Sequence, residues 1–208
     1  MDPTTTTPEP AISSTGAPAR MPLRQPPYEP ELERYLNNAA FSGLTPKNLR
    51  LVLAHQPQLA AAFQALAHEL LFKSALPERE REIAIIRTGA LTRSEYEWGM
   101  HVSIYGESCG LNRAQIAQLT QGTPDDALWT PRERLVVQVV DELHHHSTVS
   151  DTTWTALQAH WPPAQILELI LATSFYHMAA FVLNSMAVPL EQGAERFPPG
   201  LEQARVPA

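Results

Sequence analysis

Along most of its length the chain shows one recurring pattern. Apolar residues fall three and four apart, and the runs are broken by Pro or by a small polar residue with an acid or amide three positions on. That spacing is the signature of amphipathic helices. Pro30 opens PELERYLNN at a first-turn position, and Thr45-Pro46 reads as a cap for NLRLVLAHQ. Pro57 starts a longer helix with Leu59, Phe63, Leu66 and Leu70 on one stripe. Pro77 begins EREREIAIIRTGALT, whose acidic first turn suits the positive end of the helix dipole. A further helix is expected from Ser94 to about Gly110. Asn112/Gln115 and Thr130/Glu133 have capping-box spacing. The helix after Thr130 carries Leu135, Val136, Val139, Val140 and Leu143 on one side, and Asp151 opens another. The last helix, from about Pro163 to Ala187, is apolar almost all round, as a core helix or a subunit contact is. No useful run of strand alternation and no Asn-Gly hairpin signal occurs, so the expected fold class is all-α.

Composition refines this picture at the ends. Residues 1–27 hold TTTTPEP, SSTGAPAR and QPP, too little apolar surface to offset ordering entropy, and read as a flexible leader. Residues 28–191 form the expected helical domain, and 192–208 a C-terminal tail that packs on the body or on a neighbouring subunit. The formal net charge of −7 argues against nucleic acid as a partner, because phosphate binding rests on Lys and Arg. No run of about 18 apolar residues is read, so no membrane span is expected. The N-terminus lacks the apolar stretch of a secretory signal, which makes a cytoplasmic location the default. The single cysteine, Cys109, excludes an internal disulfide.

The informative stretch is LPEREREIAIIRTGALTRSEYEWGMHVSIYGESCGL, residues 76–111. Within it Arg81-Glu82-Ile83-Ala84-Ile85-Ile86-Arg87 leads into Ser94-Glu95-Tyr96-Glu97, and His101 follows Glu97 by four. This resembles the core motif of the carboxymuconolactone decarboxylase and alkylhydroperoxidase D superfamily, in which an RELAILR-like phrase precedes a Cys-x-x-Cys or its replacement and then a His. FYHMAAFVLNSMAVPLE and TPRERLVVQVVDELHHHSTVSD are similar to the second half of longer members, so the resemblance runs from about Tyr28 to Glu191. It implies an alkylhydroperoxidase D-like helical bundle and a homo-oligomer, a trimer or hexamer with a dimer still open. Ser94 and Glu97 stand where the peroxidase branch has its cysteines. Cys109 lies twelve residues past Glu97, too far along a helix to substitute. The resemblance therefore implies loss of thiol peroxidase chemistry with the fold kept. It also implies that Glu82 and His101 occupy proton-relay positions.

On a helix, residues 94, 97 and 101 share a face, and Glu97–His101 is an i,i+4 pair. A carboxylate beside an imidazole orients it and stabilises its protonated form. Two nearby carboxylates raise one another's pKa and supply an acid near neutral pH. The catalytic candidates are His101, Glu97 and Glu82. The competing reading of Glu97–His101 is an exposed helix pair. Ser94 is either an N-cap or a ligand contact. Arg87 either clamps a substrate carboxylate or makes a structural salt bridge. Tyr96, Tyr176 and Asn184 are the remaining substrate-binding candidates, and Trp98 reads as core. His144-His145-His146 does not converge on one ion, since adjacent helical residues point about 100° apart; the run reads as a solvated helix end, and no metal site is expected.

These features lead to the expectation of a lyase that needs no cofactor, moving protons on a small, lactone-bearing carboxylic acid. A hydrolase or isomerase on the same residues, and a non-catalytic oligomeric protein that binds small molecules, are the alternatives.

Overall fold

The computed structural model describes residues 19–36, 44–122 and 127–204. Among these residues it holds nine helices and no strand: α1 (Pro30–Leu36), α2 (Lys47–Leu53), α3 (Pro57–Phe72), α4 (Glu78–Leu91), α5 (Glu95–Tyr105), α6 (Arg113–Gln121), α7 (Pro131–His146), α8 (Asp151–His160) and α9 (Pro163–Met186). Asn37 and Asn38, which the pattern assigned to the first helix, lie outside the described residues.

The caps explain most of the boundaries. Both capping boxes form, Asn112 with Gln115 ahead of α6 and Thr130 with Glu133 ahead of α7. Ser150 caps α8. At α2 the expectation fails: the N-cap is Pro46 rather than Thr45, and no side chain of the cap accepts a bond. The Asn48 amide instead donates to Glu191, from the far end of the chain, at 2.6 Å. An acidic side chain there satisfies a first-turn N–H that has no partner within the helix. Helix α5 stops at Tyr105, short of Gly110, where a positive φ of 75° closes the following turns.

Helix α4 is the hub, in contact with α5, α6, α7 and α9. Every residue from Glu80 to Ala90 is buried, including four that carry charge. Ile83, Ala84 and Ile86 join Val136, Val139 and Val140 of α7 in the main core. The close approach of α4 to α5 depends on Gly89, because a Cβ there would lie 2.9 Å from the Trp98 backbone nitrogen. Trp98 is core, as expected, and its Nε1–H donates to the Thr120 hydroxyl at 3.0 Å.

Only half of the stripe read on α3 packs, Phe63 and Leu70. Leu59 and Leu66 are exposed, while Ala60, Phe63, Ala67 and Leu70 turn inward. Helix α9 buries one face and exposes Leu167, Leu171, Met178 and Phe181. By length and hydropathy α9 can cross a membrane, contrary to the reading of no such run, but half of that window is buried against the rest of the fold. A core helix passes the same test.

The described part of the expected leader is attached to the body. The Arg20 amide donates to the Met186 carbonyl at 2.9 Å, and Met21 and Leu23 pack against the cluster around Leu183 and Val188. These two apolar residues carry the body past the expected boundary at Pro27. Residues 192–204 also pack on the body: Phe197 lies against Trp98, with ring centroids 5.2 Å apart, and the Ala204 amide donates to the Arg93 carbonyl.

Candidate active site

The α4–α5 turn brings three ionisable side chains into one line. His101 Nδ1 lies 2.7 Å from Glu82 Oε2, and its Nε2 lies 3.3 Å from Glu97 Oε1. Glu82 is fully buried, and His101 and Glu97 are nearly so. The second Glu82 oxygen accepts from Arg81 Nε at 3.1 Å, and Arg81 reaches toward Glu78 at 3.8 Å. The competing reading of Glu97–His101 as an exposed surface pair does not fit this burial.

Burial acts to lower the imidazole pKa. The Glu82 charge and hydrogen bond, followed by those of Glu97, outweigh it and carry His101 up to about 9. The imidazole is therefore cationic at neutral pH, held between two carboxylates. The bond at the Glu82 end is short, and the one at the Glu97 end is longer.

His101 and Glu97 open onto a cavity of about 120 Å³. Helices α2, α3, α5 and α9 wall it, with Leu49, Leu53, Phe63, Leu71 and Met100 supplying an apolar surface. Tyr176 stands edge-on to His101 with centroids 4.9 Å apart, and Tyr105 stacks on it at 5.3 Å. Glu82 is not a wall residue; it lies behind His101.

The other candidates divide. Tyr96 and Tyr176 line the cavity. The Tyr96 hydroxyl donates to Glu191 at 2.8 Å and accepts from the Leu49 amide at 3.2 Å, so its polar end is committed to structure. Arg87 is not in the cavity. Its guanidinium grips Asp141 through two bonds of 2.7 and 3.0 Å and donates to the carbonyls of Leu119 and Gly122, tying α4 to α6 and α7. This is the structural reading of that residue. Asn184 donates to the Thr92 carbonyl at 2.9 Å and lies away from the cavity. Ser94 occupies the N-cap position of α5, fully buried, without a capping bond and outside the cavity wall.

Two residues of the site were not anticipated. Tyr105 follows His101 by four on the same helix face, and Arg81 adjoins Glu82; both signals are present in the spacing. The walls from α2 and α3 carry no chemical motif that marks them. Cys109 sits in the turns after α5, half-buried, its thiol pushed up to about 11 by burial and then by the Glu82 charge, the opposite of an activated thiolate. Among the described residues no group of three or more His, Cys, Asp or Glu is placed to hold a metal. Of the His run, His145 and His146 are exposed at the helix end as read, and His144 differs. His144 is half-buried and meets His177 of α9 at 3.0 Å (Nδ1 to Nε2), and its pKa is lowered by burial and then by His177, so it is not a solvated cation.

Among the described residues the body is all-helical, with a buried Glu–His–Glu line behind an apolar cavity. Residues 57–142 match the Carboxymuconolactone decarboxylase family, a segment holding Glu82, Glu97 and His101. That segment is similar to the family, and the fold is that of AhpD-like proteins. The fold is shared with the alkylhydroperoxidase AhpD core of an uncharacterized peroxidase-related protein from Ralstonia eutropha JMP134, at 20% identity and TM-score 0.69 over 85% of this chain and 95% of that one. It is shared too with an uncharacterized peroxidase-related protein from Silicibacter sp. TM1040, at 18% identity and TM-score 0.74 over 88% and 96%. The debrominase Bmp8, solved as a variant in complex with 2,3,4-tribromopyrrole, aligns at 16% identity and TM-score 0.64 over 86% and 95%. No curated protein matches the chain.

Proposed function

We propose that this protein is a cofactor-independent, decarboxylase-like lyase acting by proton transfer on a small, lactone-bearing carboxylic acid. The observation that carries the reading is the Glu82–His101–Glu97 line ending at an apolar cavity. The apolar walls strip water from the substrate carboxylate, which favours loss of neutral carbon dioxide. As the bond to that carboxyl group breaks, its electron pair moves through the ring into the lactone carbonyl. The resulting dienolate then takes a proton on carbon. Glu82 holds the imidazole from behind and keeps it charged. The Nε2 proton, at the longer and looser contact, passes through Glu97 to the ring carbon. Water restores that proton, so one carboxylate and one proton become one C–H bond and carbon dioxide. No group beyond these side chains enters the scheme.

A second reading, an isomerase, is favoured by one observation. Both ring nitrogens of His101 face carboxylates, so Glu97 can remove a proton from one carbon and return it to another.

The test is carbon dioxide release from a panel of carboxylated butenolides. His101→Gln and Glu97→Gln are expected to cut turnover by about 100-fold or more while the helical circular dichroism stays as in the parent. Full turnover in His101→Gln ends the reading. Double-bond migration without carbon dioxide release selects the isomerase.

A further inference from the structure

Two phenols flank the imidazole, and neither has a hydrogen-bond partner among the described residues. The Tyr105 hydroxyl is buried and unpartnered, while its ring lines the cavity and stacks on His101. Tyr176 is 3% exposed, lines the same cavity edge-on to His101, and forms no hydrogen bond through its hydroxyl among these residues. A buried hydroxyl without a partner has lost its hydrogen bond to water with nothing in exchange, which destabilises the fold. Native proteins retain few such groups, and the buried Tyr105 hydroxyl beside the imidazole calls for an acceptor that the Tyr176 hydroxyl, also without a partner, can share. The acceptor is missing from the protein itself: the Glu82 oxygens are occupied by Arg81 and His101, and Glu97 faces His101 Nε2.

We infer that the hydroxyls of Tyr105 and Tyr176 form a two-donor oxyanion site beside His101, and that the ligand of this cavity is an enolisable carbonyl compound. The inference rests on the acid–base reading of the same cavity and adds the group that would carry the developing charge. In the step proposed above, the electron pair released by the departing carboxyl group ends on a carbonyl oxygen. An O–H donor already fixed where that charge develops stabilises the transition state with little reorganisation. Buried Glu82 and Glu97 are offset by His101 and Arg81, and the remaining carboxylate nearby, Glu78, is exposed and screened by water. Both phenols also stay protonated as donors. Burial raises the pKa of each, and the Glu82 charge adds to it in both cases. Donors of this kind discriminate by chemistry. A ligand of equal shape without a carbonyl oxygen would leave both hydroxyls unpaired.

Phenolates imitate an enolate in shape and charge, so the test uses para-nitrophenol and a series of fluoro- and chlorophenols, with nitrobenzene as the non-ionisable counterpart. The parent protein is expected to bind para-nitrophenol in its ionised form, seen as the phenolate absorbance band at a pH where the free phenol is neutral. Tyr105→Phe and Tyr176→Phe are each expected to weaken phenolate binding about tenfold, the worth of one hydrogen bond to a charged group. Nitrobenzene binding should change by less than about twofold, which also reports that the cavity is intact. Equal phenolate affinity in the double variant, binding of the neutral phenol alone, or no phenol binding by the parent would overturn the inference. Phenolate binding without carbon dioxide release from any butenolide acid sinks the lyase reading and leaves the oxyanion site standing. Equal carbon dioxide release from parent and double variant removes the oxyanion site alone.

Discussion

His101 keeps its proton against burial because two carboxylates face its two nitrogens, and this has a consequence for stability. The folded-state pKa of about 9 stands above the ordinary 6.5. Between those values the folded protein holds a proton that the unfolded chain releases, so stability is fully present below about 6.5 and falls as pH rises through 9. The slope approaches about 1.4 kcal/mol per pH unit at most. Urea unfolding at a series of pH values should show this decline in the parent and a flatter profile in His101→Gln; identical profiles would mean that the imidazole does not carry the charge. Arg87 makes a contrasting case. Its two bonds to Asp141 and two to backbone carbonyls predict a loss of about 2–4 kcal/mol for Arg87→Lys, with ligand binding in the cavity unchanged at a temperature where the variant is folded. The i,i+4 spacing of Glu97 and His101, together with the resemblance, made the central line legible from sequence. Arg87, Asn184 and Ser94 were not separable from it by the same means. All three lie on the elements that build the site, but the direction a side chain takes from a buried helix depends on its neighbours: Asp141 draws Arg87 toward α7, and the Thr92 carbonyl holds Asn184.

At the scale of elements, local signals worked where the element carries its own cap. Helices α6 and α7 begin where their capping boxes place them, and α7 buries the stripe read from its spacing. They failed where the partner is remote. Thr45 does not cap α2 because Glu191, 143 positions away, satisfies the Asn48 amide instead. Leu59 and Leu66 on α3 have the right period but face outward, because α3 packs by its alanines and Phe63 against a thin set of partners. Gly89 in α4 shows the same contest between local and tertiary terms. Helix propensity favours Ala there by about 1 kcal/mol. The new Cβ, however, would lie 2.9 Å from the Trp98 nitrogen and 3.1 Å from its Cα, and backbone cannot swing aside as a side-chain tip can. Overpacking of this kind costs roughly 1–3 kcal/mol. Gly89→Ala is therefore expected to lower thermal stability despite its better helix propensity, and a raised melting temperature would show that α4 and α5 are less closely seated than described.

At the scale of the whole molecule, the last described residues form a strap over α5. Beyond α9, Glu191 joins the α2 amide to the Tyr96 hydroxyl, and the Glu195 amide donates to the Ser103 hydroxyl at 2.7 Å. Arg196 pairs with Glu95, and Phe197 covers Trp98. A Cβ on Gly99 would collide with the Glu195 carbonyl, so the strap and α5 meet backbone to backbone. A Pro- and Gly-containing segment with few apolar residues reads as a tail because its stabilisation comes from contacts scattered along another element, and no sequence period records them. Removal of residues 193–208 tests whether those contacts matter. The truncated protein loses the Phe197–Trp98 contact, the hydrogen bond at Ser103 and the ion pair at Glu95, while Glu191 and its bonds remain. The helices should survive in circular dichroism, since α4, α7 and α9 keep their mutual core. Loss of one half-buried aromatic and one or two hydrogen bonds predicts destabilisation of about 2–4 kcal/mol. Hydrogen exchange should localise the effect: the amides of α5 near Gly99 and Ser103 should open faster, and those of α7 should slow or quicken only with global stability. If the melting temperature and the α5 exchange rates match the full chain, the strap adds nothing to the helix that carries Glu97 and His101. If α5 alone loosens, the closing residues hold the Glu82–His101–Glu97 line in place from behind.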